Sequence, residues 1–182
     1  MTHKNLLLIM LLTIKKALSS LLLLFTLSTF AETNNVSIVI HGGAGWFTGM
    51  AQEDIDGIKE GLEESANKGY KIMLEGGTSL DAVEEAIVIL EDNPLFNAGR
   101  GAVYTSEFKQ ELDASIMDGS DLNAGAAASI TNVKNPIRLA RHIMDNTNHV
   151  MFSSKGAERV AKEAGLDLSL IHISEPTRPS QI

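Results

Sequence analysis

The sequence predicts a mixed α/β domain, a sheet covered by helices. Three observations carry this. The run VSIVI (36–40) is β-branched, apolar and uncharged, as a buried strand is. LDASIMDG (112–119) and AGAAASI (124–130) flank an Asp/Gly/Ser cluster and read as two short antiparallel strands. Between these regions, 54–70 and 76–92 carry apolar residues at helical spacing. Strands that alternate with helices but include a hairpin point to a mixed sheet in a single domain. No internal repeat or linker divides it.

The elements follow in order. HGGAG (41–45) ends the first strand in a glycine turn. In DIDGIKEGLEESANKGY, Ile55, Ile58, Leu62 and Ala66 fall on one helical face, with acids and lysines opposite. In GGTSLDAVEEAIVILED, Thr78 and Asp81 have the spacing of a capping box, and Leu80, Val83, Ile87 and Leu90 form the apolar stripe. NPLFNAGRGAVYTSE (93–107) is a long loop. The turn 118–121 joins the hairpin strands. Asn135 then caps a helix with Pro136 at its first position and Ile137, Ala140 and Met144 toward the core. HVMFS (149–153) reads as a short strand, Ser153 or Ser154 starts the last helix, and Gly165 stops it.

The chain has 182 residues, a net charge of −8 and no cysteine. Disulfides and thiolate-ligated metals are therefore excluded, and an acidic chain does not suit non-specific nucleic-acid binding. The two ends differ from the rest. Residues 1–31 read as a secretory signal: Lys4, Lys15 and Lys16 precede the uncharged run ALSSLLLLFTLSTFA, and Thr29 and Ala31 suit a cleavage site. A cleaved signal is preferred to a membrane anchor, because from Lys16 the run is shorter than the ~20 residues a span requires. Periplasmic or secreted localisation follows. Residues 169–182, SLIHISEPTRPSQI, have two prolines and no period, and look like an artefact foreign to the fold.

Chemistry-bearing residues are sparse. Gly43 and Gly45 begin a G-x-G-x-x-G pattern that fails at Thr48, and there is no phosphate-loop lysine motif. His41 beside the glycine turn is read as a hydrogen-bonded structural residue before a base. His142 and His149 fall on different elements, which makes them a weak metal pair. Asp113 and Asp118 are five apart on a strand, face opposite sides, and read as turn acids rather than an acid–base pair. The loop NPLFNAGRG stands out. Asn97, Gly99 and Gly101 can leave ordinary backbone space, and freed carbonyls can wrap a hard cation such as Na⁺. A plain surface loop remains the alternative.

Taken together, SIVIHGGAG, GGTSLDAVEEAIVILEDNPLFNAGRGAVYT, ELDASIMDG and AGAAASITNVKNPI resemble the plant-type L-asparaginase / isoaspartyl peptidase family over about 36–168. The resemblance implies an N-terminal nucleophile hydrolase with an αββα sandwich, cut by itself into α and β subunits and assembled as an α2β2 heterotetramer. It implies a threonine nucleophile at the start of β, acting on L-asparagine and β-aspartyl dipeptides with no catalytic cofactor. It assigns main-chain oxygens of Leu90, Glu91, Asn93, Phe96, Ala98 and Arg100 to a structural Na⁺ loop. It assigns Asn97 to orienting residues around the nucleophile, and His41, Gly42 and Gly43 to the turn near the scissile bond. The family's G-T-V-G-like nucleophile motif does not occur in this chain. The expectation is therefore a signal (1–31), an α-subunit portion (32–168) and a non-family tail (169–182). The sandwich is then incomplete, its β subunit and catalytic Thr absent, and the chain inactive alone. A glycosylasparaginase fragment or a non-catalytic remnant are the alternatives.

Overall fold

A computed structural model describes residues 15–16, 35–43 and 48–168. The expected signal (1–31), apart from Lys15 and Lys16, and the expected tail (169–182) lie outside the described residues. The chain divides after Asn35, and the named elements all lie in the second part. They are α1 (Gln52–Leu74), α2 (Ser79–Asp92), a 3₁₀ turn (Gly99–Gly101), β1 (Leu112–Met117), β2 (Ala124–Ile130), α3 (Pro136–Asn146), β3 (Met151–Ser153) and α4 (Ser154–Glu163). No helix among the described residues is long and apolar enough to cross a membrane.

The architecture is mixed α/β around a small sheet of order β1-β2-β3. β1 and β2 pair antiparallel, Ile116 opposite Gly125, and β2 and β3 pair parallel, Ala127 opposite Phe152. The predicted turn closes the hairpin: Asp118 donates its N–H to Asn123 O at 2.8 Å and accepts from Leu122 N–H at 2.9 Å. Leu112, Ile116, Ala127 and Ile130 point to one face. Ile137, Ala140 and Met144 of α3 cover its Ile116 end, as the sequence predicts. Leu139 and Ile143 of α3, with Ala157 and Ala161 of α4, cover its Leu112–Ile130 end. The opposite face shows Ser115, Met117 and Met151 to solvent. Gly165, in the left-handed region at φ +70°, ends the last helix as expected.

α1 and α2 pack along small residues. The buried positions of α1 are Gly61, Ser65 and Gly69. The predicted face of Ile55, Ile58, Leu62 and Ala66 is only half-buried. The reason is proximity: a Cβ at Gly69 would lie 2.9 Å from Ala82 O, and Ser65 Oγ donates to Ala86 O at 2.7 Å across the seam. Close backbone contact selects the residues that add no bulk. The same geometry buries Ala82 and Ala86 on α2 and leaves Val83 exposed, against expectation.

Two further expectations are corrected. Val36–Ile40 forms no strand among the described residues. It has the pattern of one, with Val36, Ile38 and Ile40 half-buried and Ser37 and Val39 exposed. A strand also requires a neighbour's N–H and C=O groups, and none of the described backbone bonds involves this segment. Its contact is with a helix, Ile38 against Gly69. Asn135 occupies the cap position of α3 but makes no side-chain cap bond. Its Nδ2 donates to Asp92 Oδ1 at 3.2 Å.

Candidate functional site

The predicted capping box holds the start of α2. Thr78 Oγ1 accepts the Asp81 N–H at 3.1 Å, and Asp81 Oδ2 accepts the Thr78 N–H at 3.3 Å. A hydrogen bond from the Thr78 hydroxyl to the carboxyl, with the Thr78 N–H and Arg141, holds Asp81 below the ordinary Asp value despite some desolvation. The helix then delivers its last turn, Leu90, Glu91 and Asp92, to the loop 93–101.

The loop is wound tightly on that turn. The N–H groups of Asn93, Phe96 and Gly101 bond back to Leu90 O, Asn93 O and Ala98 O. Gly99 has φ +46°, and a Cβ there would collide with Glu91 O and lie 2.8 Å from Glu91 Cβ. A Cβ on Gly101 would collide with Phe96 O and lie 2.6 Å from Pro94 O. The glycines therefore let the chain pass directly over its own carbonyls. The oxygens of Glu91, Pro94 and Phe96 crowd Gly99 and Gly101 just past a helix C-terminus, where the peptide dipoles place partial negative charge. Main-chain carbonyl oxygen is the donor type that a hard cation takes, although Leu90 O, Asn93 O and Ala98 O already accept N–H groups here. Arg100 is exposed, so its side chain leaves the turn free.

The predicted site residues partly converge. Phe96 is buried, and its ring touches both the glycine turn and α1: Cβ atoms at Gly42 and Gly61 would lie 3.2 and 2.8 Å from it. His41 Nδ1 accepts the Gly43 N–H at 3.2 Å, a bond within the glycine turn. Ala44 and Gly45 lie outside the described residues. Asn97 is exposed, and its Oδ1 accepts the Val103 N–H at 3.0 Å, tying the far stem of the loop. Gln110 Nε2 secures the same stem on Ala102 O at 2.5 Å.

The other candidates have structural partners. Asp113 Oδ1 accepts the Ser129 N–H at 2.7 Å, and Asp118 Oδ1 accepts the Ser120 N–H at 2.8 Å, so Asp118 is a turn acid. His142 lies beside Asn146, and His149 packs edge-on to Phe152. Among the described residues no cluster of three His, Asp or Glu side chains is placed to hold a metal.

Sequence reasoning missed the side chain of Glu91. It is 4% exposed, and Oε1 accepts the Ile137 N–H at 3.0 Å at the start of α3. Burial pushes its carboxyl up to about 7, against the opposing pull of the Ile137 bond. A signal was present. Glu91 lies four residues after Ile87, on the apolar stripe, and in the last turn, where a helix disfavours acids. Beside it, Arg138 bridges Glu84 and Glu85 at 3.0 and 2.7 Å, and Lys134 pairs with Asp92 at 3.1 Å.

Comparison with known proteins adds a family to this geometry. A family model described as asparaginase matches residues 34–174. The chain is 50% identical over 130 residues to the plant-type L-asparaginase of Pyrococcus abyssi, covering 71% of this chain and 42% of the relative. It is 43% identical over 130 residues to the isoaspartyl peptidase/L-asparaginase of Xenopus laevis, 71% of this chain and 41% of the relative. The corresponding Bos taurus protein is 40% identical over 147 residues, 81% of this chain and 44% of the relative. The chain spans less than half the length of these curated relatives.

Proposed function

Because the chain belongs to the asparaginase family, we propose that it supplies the α portion of an exported hydrolase acting on L-asparagine and β-aspartyl dipeptides. The names of the relatives, L-asparaginase and isoaspartyl peptidase, support that substrate class. The observation that carries the reading to this chain is the loop 93–101, wound over Glu91 and Phe96 carbonyls inside the matched stretch.

In this reading the complete protein cuts itself into α and β portions. The new N-terminal threonine of β then attacks the side-chain amide carbon, and its own free amine takes the hydroxyl proton. Hydrogen-bond donors stabilise the oxyanion, ammonia or an amino acid leaves with that proton, and water hydrolyses the ester to aspartate. The present chain contributes support. The main-chain oxygens of Leu90, Glu91, Asn93, Phe96, Ala98 and Arg100 would hold a structural Na⁺, which would supply a fixed charge that stiffens the loop. Asn97 and the turn His41–Gly43 border the site through Val103 and Phe96.

The sandwich and the α2β2 assembly belong to the same proposal. The open sheet face carrying Ser115, Met117 and Met151 takes the second sheet. Val36–Ile40, which has a strand's alternation without a ladder, finds its strand neighbours in the completed sheet.

The test is to read the native gene past the codon for Leu168 and assay both products for ammonia release from L-asparagine and for cleavage of β-Asp-Leu. The expected result is a frame that continues into a G-T-V-G-like segment, a product that splits in two and hydrolyses both substrates, and no hydrolysis by the 182-residue chain. Hydrolysis by that shorter chain would overturn the placing of the nucleophile. A native stop codon soon after Leu168 would favour a non-catalytic remnant.

A further inference from the structure

The loop reading leaves one buried group unused, the second oxygen of Glu91. Oε1 is occupied by the Ile137 N–H at 3.0 Å. Oε2 is buried and makes no hydrogen bond among the described residues; the Asn135 amide beside the carboxyl pulls its pKa down but donates to Asp92 Oδ1. The charged groups around it are committed elsewhere: Arg138 to Glu84 and Glu85, Lys134 to Asp92, and Asp92 also to the Asn135 amide. Arg100 is exposed. The loop turn lies directly on this residue, because Gly99 abuts both Glu91 O and Glu91 Cβ.

A buried carboxylate oxygen without a partner is costly unless a cation or a proton accompanies it. A ring of neutral carbonyls has the converse deficiency, since it solvates a monovalent cation without neutralising it. The two deficiencies meet at one residue. We propose that the Glu91 side chain is the counter-charge of the cation held by the loop, and that through Oε1 it couples that loop to the first turn of α3. Glu91 is then a positioning residue as well as a main-chain ligand. The proposal rests on the cation-loop reading above.

The test uses the 182-residue chain, with NaCl titrated against choline chloride at fixed ionic strength and binding followed by ²³Na relaxation. Glu91→Gln keeps the shape and the acceptor for Ile137 but removes the charge. The expected result is Na⁺ binding by the unaltered chain, and a Glu91→Gln variant with the same circular dichroism and a midpoint at least tenfold higher. Asp92→Asn, neutral one residue further on, keeps the original midpoint. A Glu91→Gln midpoint equal to the original overturns the counter-charge and leaves the cation loop standing. An equal loss in Asp92→Asn also overturns it, by making the effect one of general charge. If the unaltered chain does not bind Na⁺, the loop reading fails and this inference falls with it. Independently of any variant, the Glu91 carboxyl ¹³C resonance shifts on Na⁺ saturation; a fixed resonance overturns the proposal.

Discussion

Glu91 Oε1 accepts the Ile137 N–H at 3.0 Å across 46 residues of sequence, so the first turn of α3 is capped from the last turn of α2. The Asn135 amide, released from capping, goes to Asp92. Two successive acids on α2 thus grip the segment 134–137, and the loop between them is held at its root.

This relationship predicts different outcomes for two substitutions. Glu91→Ala strands a buried N–H and leaves a cavity, at a cost of about 2–4 kcal/mol. Glu91→Gln keeps the acceptor and costs less than about 1 kcal/mol. Urea unfolding of both variants checks this. Equal losses would show that the Ile137 bond carries none of the effect.

The capping box predicts a local effect with a definite pH sign. Thr78→Ala removes the bond to Asp81 N–H and costs about 1 kcal/mol. The folded Asp81 carboxyl titrates below its unfolded value of 3.8. Its contribution is therefore present above pH 3.8 and lost as pH falls through the folded value. In Thr78→Ala that acid-side loss shrinks, which a series of melts below pH 5 measures. An unchanged acid limb would remove Asp81 as its source.

Local chemistry was legible in the sequence and distant contact was not. Thr78 with Asp81, the turn around Asp118 and the stop at Gly165 each require only a few neighbouring residues, and each was read correctly. The face of α1 was misplaced because period alone favours large apolar residues. Contact with α2 instead chose Gly61, Ser65 and Gly69. Val36–Ile40 has strand composition, but a ladder depends on a neighbour that composition does not reveal. At the candidate site, Gly99 takes the positive φ that its glycine allows, whereas Asn97 and Gly101, which the sequence grouped with it, do not. The role of the Glu91 side chain was not legible, because its partner Ile137 is remote in sequence.

Gly99 predicts a loop defect separable from folding. It combines φ +46° with contact on Glu91 O and Cβ. Gly99→Ala therefore adds strain and a clash, about 2–4 kcal/mol in all if the loop keeps its path. If the loop instead moves away, the loss is smaller and protection from amide exchange at Gly101 and Ala102 falls, since their N–H bonds to Ala98 and Gly99 carbonyls open. Hydrogen exchange together with urea unfolding distinguishes the two. Unchanged stability with unchanged exchange would contradict the close approach.

The open sheet face gives the sharpest contrast between this chain and the proposed complete protein. Met117 is 56% exposed at the end of β1, opposite Ala124 of β2. A charge placed there loses no packing in the 182-residue chain, so Met117→Lys changes its stability by less than about 0.5 kcal/mol. In the complete protein the same lysine would be buried between two sheets without a partner, which costs several kcal/mol. The expected outcome is an unaltered melt for the short chain, and loss of self-cleavage and hydrolysis for the long one. If the long protein tolerates Met117→Lys, the second sheet does not lie on this face, and the sandwich proposed above has to close elsewhere.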